Sequence, residues 1–172
     1  YEPGQLPAVW EAQTATLNLP HTGMAVTTDL VDDISDIHPR NKQDVGHRLA
    51  RWALVRDYEH QDLVCSGPIY KSVSFDGASA TISFHFTAEG LSTRDGQPPN
   101  EFQIAGADGE FHPATASISG DTVIVQSDQV PEPTQVRFGW HKLTNPNLVN
   151  SAGLPASPFQ TNKWRGSIDV SH

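Results

Sequence analysis

The stretch Asp36-Ile37-His38-Pro39-Arg40-Asn41-Lys42 holds the residue types best suited to chemistry. An imidazole changes charge near neutral pH, so a loop histidine flanked by carboxylates can take and return a proton as a general base. A carboxylate on one ring nitrogen would fix its tautomer and stabilise the imidazolium. Pro39 restricts the backbone of His38 and can open a following helix. A loop histidine beside an aspartate is usually just a surface residue, and from the residues alone that reading is the stronger. Asp29, Asp32, Asp33, Asp36 and His38 could alternatively be read as a cation cluster, since Ca²⁺ favours carboxylate-rich loops. Their spacing does not follow an EF-hand, and a solvated acidic loop is the default. No cofactor or metal is expected. Arg40 either reaches the same site or caps or pairs on the helix that follows. Trp140 and His141, with the loop Asn145 to Asn150, could line a sugar pocket through an aromatic face and amide groups. The residues alone favour Trp140 as core of the β domain.

Two regions must position these residues. Up to about Leu63 the pattern is α/β. Leu6, Val9, Trp10, Gln13 and Leu17 fall at helical spacing, with Pro7 tolerated in a first turn, and Pro20 and Gly23 end the run. Met24 to Leu30 (MAVTTDL) has the β-branched content of a buried strand. An acidic loop, Val31 to His38, leads into a second helix over roughly Asn41 to Tyr58. Val45, Leu49, Trp52 and Ala53 form its apolar stripe, and Arg48, Arg51 and Arg56 lie mostly outside it. A functional loop after a strand is the usual plan of an α/β enzyme. From Val64 the chain reads as all-β. Ala80, Ile82, Phe84 and Phe86 alternate with polar residues, and further strands are expected around Phe102–Ile104, Thr122–Gln126 and Gln135–Trp140. Turn signals recur roughly every 8 to 15 residues, which suggests a small sandwich. The segment from Thr144, rich in Pro, Asn and Gly, is expected to be an ordered loop.

Composition narrows the function classes. The 172 residues carry 20 acidic and 11 basic side chains, a formal charge of −9, which argues against a nucleic-acid partner. Apolar residues at 37% are too many for a disordered tail, and no run approaches the ~20 apolar residues of a membrane helix. Cys65 is the single cysteine, so an intramolecular disulfide is excluded. It reads as a packed or free thiol. Residue 1 is Tyr, and no signal or transit segment is legible; the numbering is expected to start on a processed or internal residue.

Several blocks bear a family resemblance. Asn18 to Lys42 (NLPHTGMAVTTDLVDDISDIHPRNK), continuing through Gln43 to Trp52, resembles the carboxyl-terminal part of the sialate O-acetylesterase family, carbohydrate esterases of the SGNH (GDSL-like) superfamily. Pro7 to Ala15 resembles the helix before that strand, and Leu63 to Lys71 the start of the family's β domain. FQIAGA (from Phe102), RFGW (from Arg137), NLVN (from Asn147) and GLPASPFQT (from Gly153) resemble its closing segments. The resemblance implies the end of an SGNH-type α/β/α hydrolase domain over residues 1–63, followed by a small β-sandwich over 64–172. It implies hydrolysis of acetyl esters on sugars by a Ser–His(–Asp) mechanism, with His38 as catalytic base. Asp36 would be its orienting acid, although many superfamily members carry Asp where this chain has Ser35; Asp33 or a backbone carbonyl are the alternatives. Arg40, Trp140 and Asn145 are the substrate-binding candidates. The chain has no G-x-S-x-G elbow, and the family's Gly-x-Ser block and oxyanion-hole residues lie upstream. The implied partners are therefore an O-acetylated sugar or polysaccharide and a larger N-terminal chain of the same esterase carrying the serine. By itself this chain is expected to be inactive. The substrate type implies an extracellular or periplasmic location. The rival reading is a non-catalytic carbohydrate-binding or structural β module.

Overall fold

A computed structural model describes residues 2, 4–31, 33 and 40–162. His38 and Asp36 lie outside the described residues. Among the described residues the element order is two α-helices, the first followed by a 3-10 turn at Thr16–Asn18, and then ten short strands: α1 (Gln5–Ala15), α2 (Lys42–Arg56), β1 (Ile69–Asp76), β2 (Ser79–His85), β3 (Leu91–Thr93), β4 (Phe102–Ala105), β5 (Phe111–Pro113), β6 (Thr115–Ser119), β7 (Thr122–Gln126), β8 (Gln135–Phe138), β9 (Leu148–Asn150) and β10 (Phe159–Gln160). Neither helix is long and apolar enough to cross a membrane.

The strands build two four-stranded antiparallel sheets, ordered β1-β2-β7-β6 and β10-β8-β4-β5, and a two-stranded ladder of β3 with β9. Period two on β2 sends Ala80, Ile82 and Phe84 to one side, where Ala80 sits opposite Val125 and Ile82 opposite Val123 on β7. Those side chains share one core with Phe102 and Ile104 of β4, Val136 and Phe138 of β8 and Phe159 of β10. Its aromatic rings pack closely, with Phe102 and Phe138 centroids 4.6 Å apart and Tyr70 stacked on Phe159 at 4.8 Å. A second cluster of Leu17, Trp52, Cys65 and Ile69, backed by Met24, Val55 and Phe86, joins the helices to the start of β1.

Three sequence-based expectations need correction. Met24–Leu30 forms no strand. It runs extended and then turns, and among the described residues no strand pairs with it. Two of its carbonyls are taken instead by side chains of α2 (below). The face of α1 that packs is also different. Pro7 and Thr14 are buried, with Leu17 beyond the helix, whereas Val9 is 51% exposed and Leu6 is exposed too. Packing follows the i, i+7, i+10 row against the β module, and two of the largest apolar side chains lie off it. Leu49 of the α2 stripe is likewise exposed, and Trp52 is its buried residue. Finally, the segment from Thr144 contains β9 and β10 and is largely buried. Side chains satisfy its irregular backbone. Asn150, fully buried, donates from Nδ2 to the carbonyls of Ser66 (2.9 Å) and Phe86 (2.8 Å) and accepts from Leu154 N–H (3.0 Å).

Candidate active site

In the sequence, the stretch that holds His38 is flanked by two anchors that the structure does describe. On its far side α2 is capped by Asn41, whose Oδ1 accepts the Asp44 N–H at 3.0 Å while its Nδ2 donates to Asp44 Oδ2 at 2.7 Å. This reciprocal pairing satisfies an orphan donor, and Asp44 places negative charge on the helix's positive end. The cap belongs to Asn41, so it is not Arg40 that caps α2. Arg40 is exposed one residue earlier, two positions after His38 in the sequence, and its carbonyl accepts from Lys42 N–H at 2.9 Å.

On the near side, α2 lies along the extended segment and is stitched to it. Arg48 and Trp52, one turn apart, project about 6 Å apart along the helix. Residues two apart in extended chain are separated by nearly the same distance, about 6.7 Å. The carbonyls of Val26 and Met24 therefore meet Arg48 Nη1 and Trp52 Nε1, the latter at 2.8 Å. Arg48 also forms a bidentate pair with Asp29, 2.6 Å on each branch, and both side chains are largely buried, 13% and 15% exposed. Gly23 permits the approach, because a Cβ there would lie 2.6 Å from Trp52 Cγ. Asp29 is thus committed to an arginine, and no three-residue metal-ligating group exists among the described residues. Sequence reading missed this pair. Arg48 was one of three arginines outside the apolar stripe and Asp29 one of several acids, and nothing local singled them out.

The remaining candidates fall elsewhere. Trp140 is half-buried and lines an open groove of about 940 Å³ with Pro99, Asn100, Glu101, Gln103 and Arg137. There Arg137 Nε donates to Gln103 Oε1 at 2.6 Å and its guanidinium stacks 4.1 Å over the Phe111 ring. Asn145 sits outside this lining. Its Oδ1 accepts from Arg94 Nη2, and its carbonyl accepts from Asn100 Nδ2 at 3.4 Å, so Asn100 links it to the groove. No described contact brings Arg40 to Trp140 or Asn145.

No protein-family model matches the chain. A curated relative, sialate O-acetylesterase of Mus musculus, is 34% identical over 74 residues, 41% of this chain and 14% of that protein. A crystal structure described as a novel carbohydrate acetylesterase from Xanthomonas citri superposes with a TM-score of 0.84 at 49% identity, covering 90% of this chain and 35% of that one. The chain is similar to the carboxyl-terminal part of the sialate O-acetylesterase family. It spans about a third of the length of the crystallised relative and about a seventh of the curated one. Within that family resemblance, the stitched segment and the capped helix flank, in the sequence, the stretch that holds DIHPRNK.

Proposed function

We propose that this chain is the histidine-bearing, carboxyl-terminal portion of a serine-type carbohydrate O-acetylesterase. The observation that carries the reading is the 49% identity to a carbohydrate acetylesterase, sustained over 90% of the chain at a TM-score of 0.84. In this reading residues 1–63 complete an SGNH-type α/β domain and residues 64–172 form a β-sandwich. Support for the first part is an extended segment of strand-like composition between two helices, its ladder partner supplied by the upstream part of the esterase. Support for the second is the single core shared by the two four-stranded sheets.

The chemistry follows from a loop histidine facing a serine borne by that upstream part. His38 removes the serine proton as the hydroxyl attacks the acetyl carbonyl, and returns it to the departing sugar hydroxyl. A water activated by the same imidazole then releases acetate. Asp36 or a backbone carbonyl holds the ring. The substrate is an O-acetylated sugar or polysaccharide, and the protein acts outside the cytoplasm. The test is acetyl-ester hydrolysis by the polypeptide that unites this chain with its Gly-x-Ser block. His38→Ala is expected to lower kcat by at least ~1,000-fold; unchanged hydrolysis would overturn the assignment.

The Trp140 groove favours a second reading, in which the β module binds glycan without catalysis. Its volume is in the range of ligand sites, and an indole face beside planar amide and guanidinium groups suits pyranose rings and their hydroxyls. Titration of oligosaccharides into the Trp140→Ala variant decides it, with lost binding and unaltered hydrolysis of a small acetyl ester supporting this reading.

A further inference from the structure

We propose that the Trp140 groove recognises a glycan built of hexuronates, with Arg137 as the residue that takes the sugar carboxylate. The inference rests on the glycan-binding reading of the β module and adds the chemical class of the ligand.

Alternation on β8 sends Val136 and Phe138 into the core and Arg137 to the opposite face, between Gln103 on β4 and Gln160 on β10. Two contacts then fix the guanidinium. Its Nε donates to Gln103 Oε1 at 2.6 Å, and its central carbon lies 4.1 Å from the centroid of the Phe111 ring. These contacts use Nε and one face of the plane. The outer edge, Nη1 and Nη2, has no partner among the described residues. Arg48 is the opposite case, since Asp29 occupies both of its Nη atoms. Arg137 is half-buried, and lost hydration draws its pKa below the usual value. A rigid, partly dehydrated cation with a free two-nitrogen edge matches a carboxylate in bidentate geometry.

The neighbouring residues specify the kind of carboxylate. Gly139, at φ 59°, turns the chain out of β8, and Trp140 follows it in the wall of the same groove. A hexuronate carries its carboxylate directly on the pyranose ring. One rigid unit therefore offers an apolar face to the indole and two oxygens to the guanidinium. The groove, about 940 Å³, is at the upper end of ligand sites, room for a chain rather than a single ring. Glu101 is the one acid among its described lining residues, and it is exposed, so solvent screens its repulsion. The formal charge of −9 gives the chain no general attraction for anions, which leaves Arg137 as the local source of any preference for an acidic ligand.

Isothermal titration of the 172-residue chain with a short oligogalacturonate, and with its carboxyl-reduced neutral counterpart, tests this. The acidic oligomer is expected to bind at least ~10-fold more tightly. Arg137→Gln should erase that difference and keep binding of the neutral oligomer. Arg137→Lys retains the charge and loses the fork; it should weaken the acidic oligomer alone, and it carries the test should Arg137→Gln fail to fold. Equal affinity of the parent for the two oligomers, or a preference that survives substitution of Arg137, overturns the hexuronate assignment and leaves the glycan-binding reading in place. If neither oligomer binds, or if Trp140→Ala leaves binding unchanged, that reading falls and the assignment with it. A polyglutamate peptide that binds as tightly as the oligogalacturonate would put an acidic protein segment in the groove and overturn the proposal as well.

Discussion

Asn147 shows how single polar side chains hold this molecule's irregular parts. It is almost wholly buried, and its Nδ2 donates to Asp95 Oδ1 at 2.9 Å and Pro98 O at 3.0 Å, while its Oδ1 accepts from Asn100 N–H at 3.0 Å. Its backbone N–H returns the favour to Asn100 Oδ1 at 2.9 Å. Asn147→Leu keeps the volume and removes three hydrogen bonds whose partner residues are exposed and can take water instead, so it should cost about 2 kcal/mol in a denaturant titration. The same network acts on Asp95. Hydrogen bonds from Gln97 N–H and Asn147 Nδ2 hold its carboxyl below the usual value of 3.8. A folded pKa below the unfolded one means that the unfolded chain binds the extra proton. The contribution is therefore present above about pH 3.8 and lost as pH falls through the folded value. Melting temperatures between pH 5 and pH 2.5 should fall less steeply in Asp95→Asn than in the parent. Cys65 makes the opposite case. Burial raises its thiol pKa, more than the neighbouring Arg56 lowers it. It should be inert to a thiol reagent in the native protein and react fully once denatured, which a colorimetric thiol assay reads directly.

At the scale of elements, the tightest junction is where Gly67 passes the strand-like stretch 154–157. A Cβ on Gly67 would lie 2.0 Å from the Pro155 carbonyl oxygen and 2.8 Å from that of Leu154, both backbone atoms. Ser157 N–H bonds to Pro68 O at 2.9 Å beside it. Gly67→Ala must move one backbone or the other, with an expected loss of about 3 kcal/mol and a Tm lower by roughly 6–12 °C in calorimetry. Nothing in the sequence announced this contact, since Ser66-Gly67 is an ordinary turn pair and its partner lies some ninety residues on. The elements that were legible share a different property, a repeat long enough to count. Both helices were read within a few residues of their observed bounds, and β2, β4, β7 and β8 stand where alternation or β-branched runs put them. Strands of two or three residues, such as β3, β9 and β10, carry no period and are defined by what they pair with. Met24–Leu30 had the composition of a strand but lacks a ladder partner among the described residues, which composition cannot reveal. The candidate site divides in the same way. The loop around His38 was legible as a motif, whereas the Asp29–Arg48 pair joins residues 19 apart whose local context is unremarkable. Trp140 was weighed as pocket or core, and its half-buried position in the groove wall draws on both.

The whole molecule is unevenly consolidated, and that unevenness bears on the proposed assembly. The buried residues of the larger core lie within residues 80–159, with Tyr70 and Val73 of β1 packed against them, and it draws only on β-strand and loop side chains. The helical part is joined to it by fewer contacts. Leu17 and Trp52 reach Cys65 and Ile69, Thr14 and Ser157 hydroxyls share a hydrogen bond at 3.3 Å, and Gln160 Nε2 donates to Glu11 Oε2 at 3.3 Å. Meanwhile the helical part leaves Leu19 61% exposed and Leu49 48% exposed, with Val9 also open. An SGNH-type domain supplied by the upstream polypeptide would cover such a surface; the β module needs no such cover. The expectation is that residues 64–172 expressed alone unfold in one cooperative transition, as followed by circular dichroism. Residues 1–63 alone should show no cooperative transition, because two helices with one buried tryptophan between them cannot offset their chain entropy. Trp52→Ala in the 172-residue chain separates the two parts further. It removes the largest side chain of the joining cluster, at a cost of about 3–5 kcal/mol to that junction. Hydrogen exchange should then rise across α1 and α2 while β2, β4, β7 and β8 stay protected. Equal loss of protection in the strands would mean that the helices and sheets fold as one cooperative unit, and the division at residue 63 would have to be abandoned.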